Sequence, residues 1–70
     1  MTLEAAIEKS EEIWETFRNK EAPEGYDNWI AIDDVWDLNI YEDGLDYAAT
    51  LYPVVEGKTK TSSPAHHWKQ

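Results

Sequence analysis

The chain has 70 residues, of which 41% are hydrophobic, and a formal net charge of −9. Its length predicts one small domain, and its apolar content, which includes four Trp and four Tyr, excludes a disordered acidic tail. The lack of cysteine excludes disulfides and thiolate metal sites, and the acidity disfavours direct binding to nucleic acid or to an anionic membrane. We therefore expect a basic partner. Without an apolar run of about 18 residues or a leader-like start, a cytoplasmic location is expected.

The first segment has helical periodicity. Its apolar positions recur at steps of three and four, which places them on one side of a helical wheel. Thr2 is a suitable N-cap, and Pro23 lies in a segment, residues 19–25, that should end the helix. We predict a helix over residues 2–20 whose buried face is formed by Leu3, Ala6, Ile7, Ser10, Ile13, Trp14 and Phe17.

From Trp29 the period changes to two, which predicts strands over about 28–32 and 35–42 with a turn or bulge at Asp33-Asp34. Asp43-Gly44 predicts a type I′ hairpin leading into a strand over about 45–52. A two-residue loop there would pair Ile40 with Tyr47, Leu38 with Ala49 and Trp36 with Leu51. A short helix through Ala48, Ala49 and Leu51 is the alternative.

The remainder of the chain is less regular. Pro53 predicts a strand end or an edge, and residues 54–61 form either a further hairpin or a loop. The expected fold is α+β: an N-terminal amphipathic helix packed on a three- or four-stranded antiparallel sheet. Residues 1–61 would be the domain, and residues 62–70, which contain no acid, would be a basic, flexible tail.

Carboxylates dominate the predicted surface. Five glutamates occupy the helix face opposite the apolar stripe, although like charges at i,i+4 destabilise a helix. Two interpretations of this face stay open. It is either an ordinary solvated helix face or a surface that binds a partner. Aspartates and aromatic residues of the outward strand face continue the acidic surface, and Trp and Tyr are frequent interface anchors. An exposed aromatic residue can equally well cover a seam of the fold. The candidate partner-binding residues are Glu4, Glu8, Glu11, Glu12, Glu15, Trp29, Asp33, Asp34, Asp37, Tyr41, Glu42, Asp43 and Asp46.

Catalysis and metal binding have weak support. The two histidines, His66 and His67, lie in the predicted tail, and seventy residues hardly build the deep cleft that a carboxylate-based hydrolase requires. Asn39, Tyr41 and Asp43 before Gly44 only faintly match a calcium loop. We expect no catalytic residue, no metal and no cofactor.

The acidic helix, the small antiparallel sheet and the scattered exposed aromatics together resemble phage and mobile-element inhibitors of the anti-CRISPR and anti-restriction type. The likeness is one of physical class, and no motif carries over. It implies an inhibitor that blocks the nucleic-acid channel of a protein partner by imitating phosphates. Three alternatives stay open: a structural or adaptor subunit, an immunity protein or antitoxin for a nuclease, and general adaptation to high salt.

Overall fold

The computed structural model describes residues 1–18, 28–44 and 46–69. Within these ranges one helix, α1 (Leu3–Arg18), precedes five strands. The strands are β1 (Trp29–Asp33), β2 (Trp36–Asp43), β3 (Asp46–Val55), β4 (Lys58–Thr59) and β5 (His66–Lys69). The helix packs on an antiparallel sheet, so the predicted α+β fold is confirmed.

The helix begins as its sequence predicts. The backbone N–H of Ala5 donates to Thr2 Oγ1 at 3.2 Å, which satisfies one of the unpaired donors of the first turn. Ala6, Ser10, Trp14 and Phe17 are buried against the sheet, as the periodicity predicts. Ile7 and Ile13 are only half-buried, and Leu3 is exposed. The predicted end of the helix, residues 19–25, lies outside the described residues.

The hairpin between β2 and β3 forms with a register two residues away from the predicted one. Ile40 pairs with Ala49 rather than with Tyr47, and Leu38 pairs with Leu51 rather than with Ala49. The pairing of Asp43 with Asp46 shows that the loop begins at Gly44 (φ +67°), not at Asp43. Because the side-chain period of a strand is two, an even shift leaves the predicted buried face unchanged. The alternative helix at residues 48–51 is wrong, since these residues lie inside β3.

A bulge separates β1 from its turn, as predicted for this region. The register of β1 with β2 shifts between Ala31 and Asp33, so that Asp33 pairs with Trp36. The Lys9 ammonium donates to the Ile32 carbonyl at 3.1 Å, which ties the helix to the bulge. The turn itself follows, at residues 34 and 35.

Two short strands, β4 and β5, pair with different parts of β3, on its edge away from β2. The strand β3 passes through Pro53 instead of ending there. The Val54 N–H donates to the Val35 carbonyl and therefore faces β2. The nitrogen of Pro53 faces the opposite edge of β3, where the loop 60–65 separates β4 from β5. Proline therefore costs the ladder no hydrogen bond.

The segment predicted as a flexible basic tail is part of the fold. Trp68 is only 6% exposed and belongs to the core, and its strand β5 pairs with β3 over residues 48–51. Burying one large aromatic side chain against the sheet compensates for ordering a short segment. The core between the helix and the sheet consists of Ala6, Trp14, Phe17, Ile32, Leu38, Ile40, Ala49, Leu51 and Trp68.

Candidate functional site

The outer face of α1 carries a row of carboxylates that we call the glutamate ribbon: Glu4, Glu8, Glu11, Glu12 and Glu15. All five side chains are exposed. The sequence produces this arrangement because the apolar positions at steps of three and four turn the intervening glutamates away from the sheet. At about 1.5 Å rise per residue, the eleven steps from Glu4 to Glu15 span about 16 Å.

The two cations of α1 leave most of this ribbon without a counter-charge. Lys9 turns toward the sheet and binds the Ile32 carbonyl, while Arg18 pairs with Glu15 at 3.3 Å at the C-terminal end. Among the described residues, no cation lies within ion-pair distance of the other four ribbon carboxylates. The unbalanced charge is therefore concentrated on the first three turns of the helix.

The candidates on the sheet form a second surface on the opposite side of the molecule. Strand alternation and register place Trp29, Asp37, Tyr41, Asp43 and Asp46 on the face of the sheet that the helix does not cover. The molecule measures 33 × 21 × 20 Å, and the sheet with its helix lies between the two surfaces. The sequence-based interpretation of one continuous acidic surface is therefore corrected to two opposed surfaces.

Several of these side chains have local partners on the outer sheet face. The rings of Trp29 and Tyr52 lie 5.8 Å apart, and Thr59 donates a short hydrogen bond to Asp37. Asp43 lies 3.7 Å from the Lys69 ammonium. These contacts hold the strands of the outer face together, so this surface is less purely acidic than the alternating pattern predicts.

Asp33 has a structural role instead of lying on the outward face. The bulge places it opposite Trp36, where one carboxylate oxygen accepts the Val35 N–H at 2.9 Å and the other lies 3.3 Å from the Met1 amine. The Val35 N–H bond is the main cause that lowers the pKa of Asp33. Partial desolvation opposes it, and the Met1 amine and the Trp36 N–H lower the pKa further. The remaining candidates, Asp34 and Glu42, are exposed at opposite ends of the β1–β2 hairpin.

Two groups of residues near the surface lie outside the set that the sequence predicts. His67 Nδ1 is hydrogen-bonded to Thr50 Oγ1 at 2.9 Å, a contact that required the unexpected strand β5. Val35 and Val55 are exposed near one end of the sheet, where the pattern assigned only a turn and an uncertain hairpin. In the part of the chain that the structure describes, no three His, Asp or Glu side chains converge as metal ligands, and no helix is long and apolar enough to span a membrane.

Comparisons with protein-family models, with curated proteins and with solved structures found no match. The geometry and charge of the two surfaces are therefore the features from which a function can be inferred.

Proposed function

We propose that this chain is a non-enzymatic inhibitor that covers the basic, nucleic-acid-binding surface of a protein partner, with the glutamate ribbon standing in for phosphates. This is the mode of action that its likeness in physical class to phage anti-CRISPR and anti-restriction proteins implies. The observation that carries the proposal is the lack of interleaved cations: Glu4, Glu8, Glu11 and Glu12 are exposed without an ion-pair partner among the described residues.

The energetic cost of the ribbon supports a functional origin. Glu4 with Glu8, Glu8 with Glu12 and Glu11 with Glu15 are like-charge pairs at i,i+4, and each destabilises the helix by about 0.2–0.5 kcal/mol. A helix face selected only for solubility would gain stability from alternating lysines. A basic groove on a partner would offset this repulsion by attracting each of the glutamates.

The charge spacing of the ribbon supports mimicry of a single phosphate row. Five charges over about 16 Å give one charge per about 4 Å along the helix axis. A duplex carries one charge per about 1.7 Å, but each single strand of it carries one per about 3.4 Å. The ribbon therefore matches the charge density of one phosphate row over about five nucleotides, not that of a whole duplex.

Affinity capture with charge-reversed variants tests the proposal. The tagged wild-type chain should recover a nucleic-acid-binding protein from host lysate, and added nucleic acid should release it. Glu8→Lys combined with Glu11→Lys should abolish recovery while preserving the circular dichroism spectrum. Recovery that nucleic acid does not affect would favour an adaptor subunit, and recovery of one dedicated nuclease would favour an immunity protein.

A matched control variant distinguishes the effect of the ribbon on partner binding from the effect of the net charge. Glu42→Lys combined with Asp43→Lys changes the formal charge by the same amount, from −9 to −5, because each reversal adds two. It loses only the exposed contact of Asp43 with Lys69, which contributes little to stability. The control variant should still capture the partner, and equal loss in both variants would count against the ribbon.

A further inference from the structure

Two aromatic rings meet on the face of the sheet that the helix leaves uncovered. The rings of Trp29 in β1 and Tyr52 in β3 lie 5.8 Å apart and are tilted by 38°, so their contact crosses the intervening strand β2. Tyr52 is half-buried, whereas Trp29 is still 41% exposed. Part of Trp29 therefore remains accessible to another molecule.

A carboxylate and a small side chain adjoin this ring pair. Asp37 of β2 is the register partner of both Ala31 in β1 and Tyr52 in β3, so the three side chains form a row with neighbouring Cβ atoms about 5 Å apart. One oxygen of Asp37 accepts a hydrogen bond from Thr59. The other, Oδ1, is not buried and has no hydrogen-bond or ion-pair partner among the described residues. Ala31 is exposed, and its methyl group leaves space between Trp29 and Asp37.

The charges on this face favour a positively charged occupant. By alternation and register, the face carries three carboxylates, one ammonium and one imidazole, on Asp37, Asp43, Asp46, Lys69 and His67. The Lys69 ammonium lies 3.7 Å from Asp43, six residues along β2 from Asp37. His67 Nδ1 is hydrogen-bonded to Thr50 Oγ1 at 2.9 Å. Neither group therefore neutralises Asp37.

The cations at the same end of the sheet lie on the other face or in an ion pair. They are Lys58, Lys60 and the Met1 ammonium. Lys58 and Lys60 join β3 at alternate positions that share the helix side with Trp36. The Met1 ammonium pairs with Asp33. The adjoining turns at residues 34–35 and 56–57 add two exposed carboxylates, Asp34 and Glu56.

We propose that Trp29, Ala31, Asp37 and Tyr52 form an arginine site, which binds the guanidinium group of one arginine side chain on a protein partner. The planar guanidinium would stack on Trp29 above Ala31, in a cation–π contact, and donate a hydrogen bond to Oδ1 of Asp37. A lysine ammonium is a compact charge that cannot stack a plane on the ring while donating along its edge. The site should therefore prefer arginine to lysine.

The arginine site is on the opposite side of the molecule from the glutamate ribbon. The inference therefore goes beyond the proposed function, and either of the two can fail without the other. The variant that combines Glu8→Lys and Glu11→Lys should leave binding at the arginine site unchanged.

Three capped peptides of sequence Gly-Gly-X-Gly-Gly test the site, where X is arginine, lysine or citrulline. Citrulline keeps the planar shape of arginine without its charge. Each peptide is titrated into isotopically labelled protein at constant ionic strength and followed by NMR. The arginine peptide should saturably shift the Trp29 indole N–H and the backbone N–H groups of Ala31, Asp37 and Tyr52. The lysine peptide should bind at least about twofold more weakly and the citrulline peptide at least about fivefold, because each loses one of the two contacts.

Two variants and a matched control separate the site from net charge. Trp29→Leu should weaken binding of the arginine peptide about two- to fivefold, the contribution of an exposed cation–π contact. Asp37→Asn keeps an oxygen for the Thr59 bond and should weaken binding about fivefold, because the hydrogen bond from the guanidinium loses its charged acceptor. Asp43→Asn removes the same charge from the same face and should bind as the wild type does. The amide spectrum of each variant shows whether its fold is kept.

Four outcomes would overturn the arginine site. They are lysine or citrulline peptides that bind as tightly as the arginine peptide, an arginine peptide that leaves Trp29 unshifted, and equal weakening by Asp37→Asn and Asp43→Asn. Shifts confined to the glutamates of α1 would overturn the site and leave the proposed function intact.

Discussion

Ser10 offers the sharpest test of how the helix packs. Its hydroxyl is fully buried between α1 and the sheet, and it has no hydrogen-bond partner among the described residues. Burying an unpartnered hydroxyl costs about 1–3 kcal/mol, because its bonds to water are lost without replacement. Serine is also a poorer helix former than alanine by about 0.5 kcal/mol. Ser10→Ala should therefore stabilise the protein.

The expected gain is large for a domain of this size. Taking the lower end of the desolvation cost together with the propensity difference gives about 1.5–2 kcal/mol. Seventy residues correspond to a total stability of only about 3.5–10 kcal/mol. In a domain this small, each kcal/mol moves the melting temperature by about 4–8 °C, so Ser10→Ala should raise it by about 6–16 °C.

Thermal and urea unfolding of Ser10→Ala and Thr16→Ala measure this effect separately from helix propensity. Thr16 is exposed on the same helix, so its replacement changes propensity without changing burial. Thr16→Ala should stabilise by about 0.5 kcal/mol. A gain in Ser10→Ala no larger than that of Thr16→Ala would refute the assignment of Ser10 as a buried, unpartnered group.

Further predictions concern the turns, the last strand and the response to pH and salt. Glu56 has a left-handed φ of +53° in the β3–β4 turn, so Glu56→Asn should stabilise by about 0.5–1 kcal/mol in urea unfolding, and a loss would contradict the assigned turn. Trp68→Ala should cost about 3–5 kcal/mol and leave little folded protein by near-ultraviolet circular dichroism, whereas a loose tail would tolerate it. Because the folded pKa of Asp33 is lowered, its carboxylate stabilises the fold above the unfolded pKa of 3.8, and this contribution is lost as the pH falls through the folded pKa. Asp33→Asn should therefore flatten the acid side of the melting-temperature profile, and an unchanged profile would contradict this role. Raising salt from about 50 mM should increase the melting temperature by screening the ribbon, with the domain already folded at the lower value, whereas a halophilic protein would unfold there.

The buried faces were predictable from sequence because they depend only on period. The helix stripe from Ala6 to Phe17 and the alternation through Leu38 and Ile40 needed no knowledge of the register. The predicted hairpin loop lies one residue too early, at Asp43 instead of after it. The resulting shift of two residues in pairing keeps every side chain on its face, so the error did not reach the core.

The last strand and the division of the surface could not be predicted from local pattern. β5 is four residues long and follows a loop rich in Ser and Pro, and only its partner β3 and the burial of Trp68 define it. All the candidate acids carry negative charge, and the sequence does not show which of them share a surface. That depends on the face of the sheet that the helix covers. That choice is made by tertiary packing, which placed the ribbon and Asp37 on opposite sides.

If the glutamate ribbon occupies a nucleic-acid site, the chain should displace nucleic acid from the captured partner. A fluorescent oligonucleotide bound to that partner would be titrated with the wild-type chain and with the variant that combines Glu8→Lys and Glu11→Lys. The wild type should displace the oligonucleotide completely. The variant should displace it at least about tenfold more weakly, since each lost charge-assisted contact in a basic groove contributes more than about 1 kcal/mol. A stable ternary complex of oligonucleotide, partner and wild-type chain would contradict the proposed function.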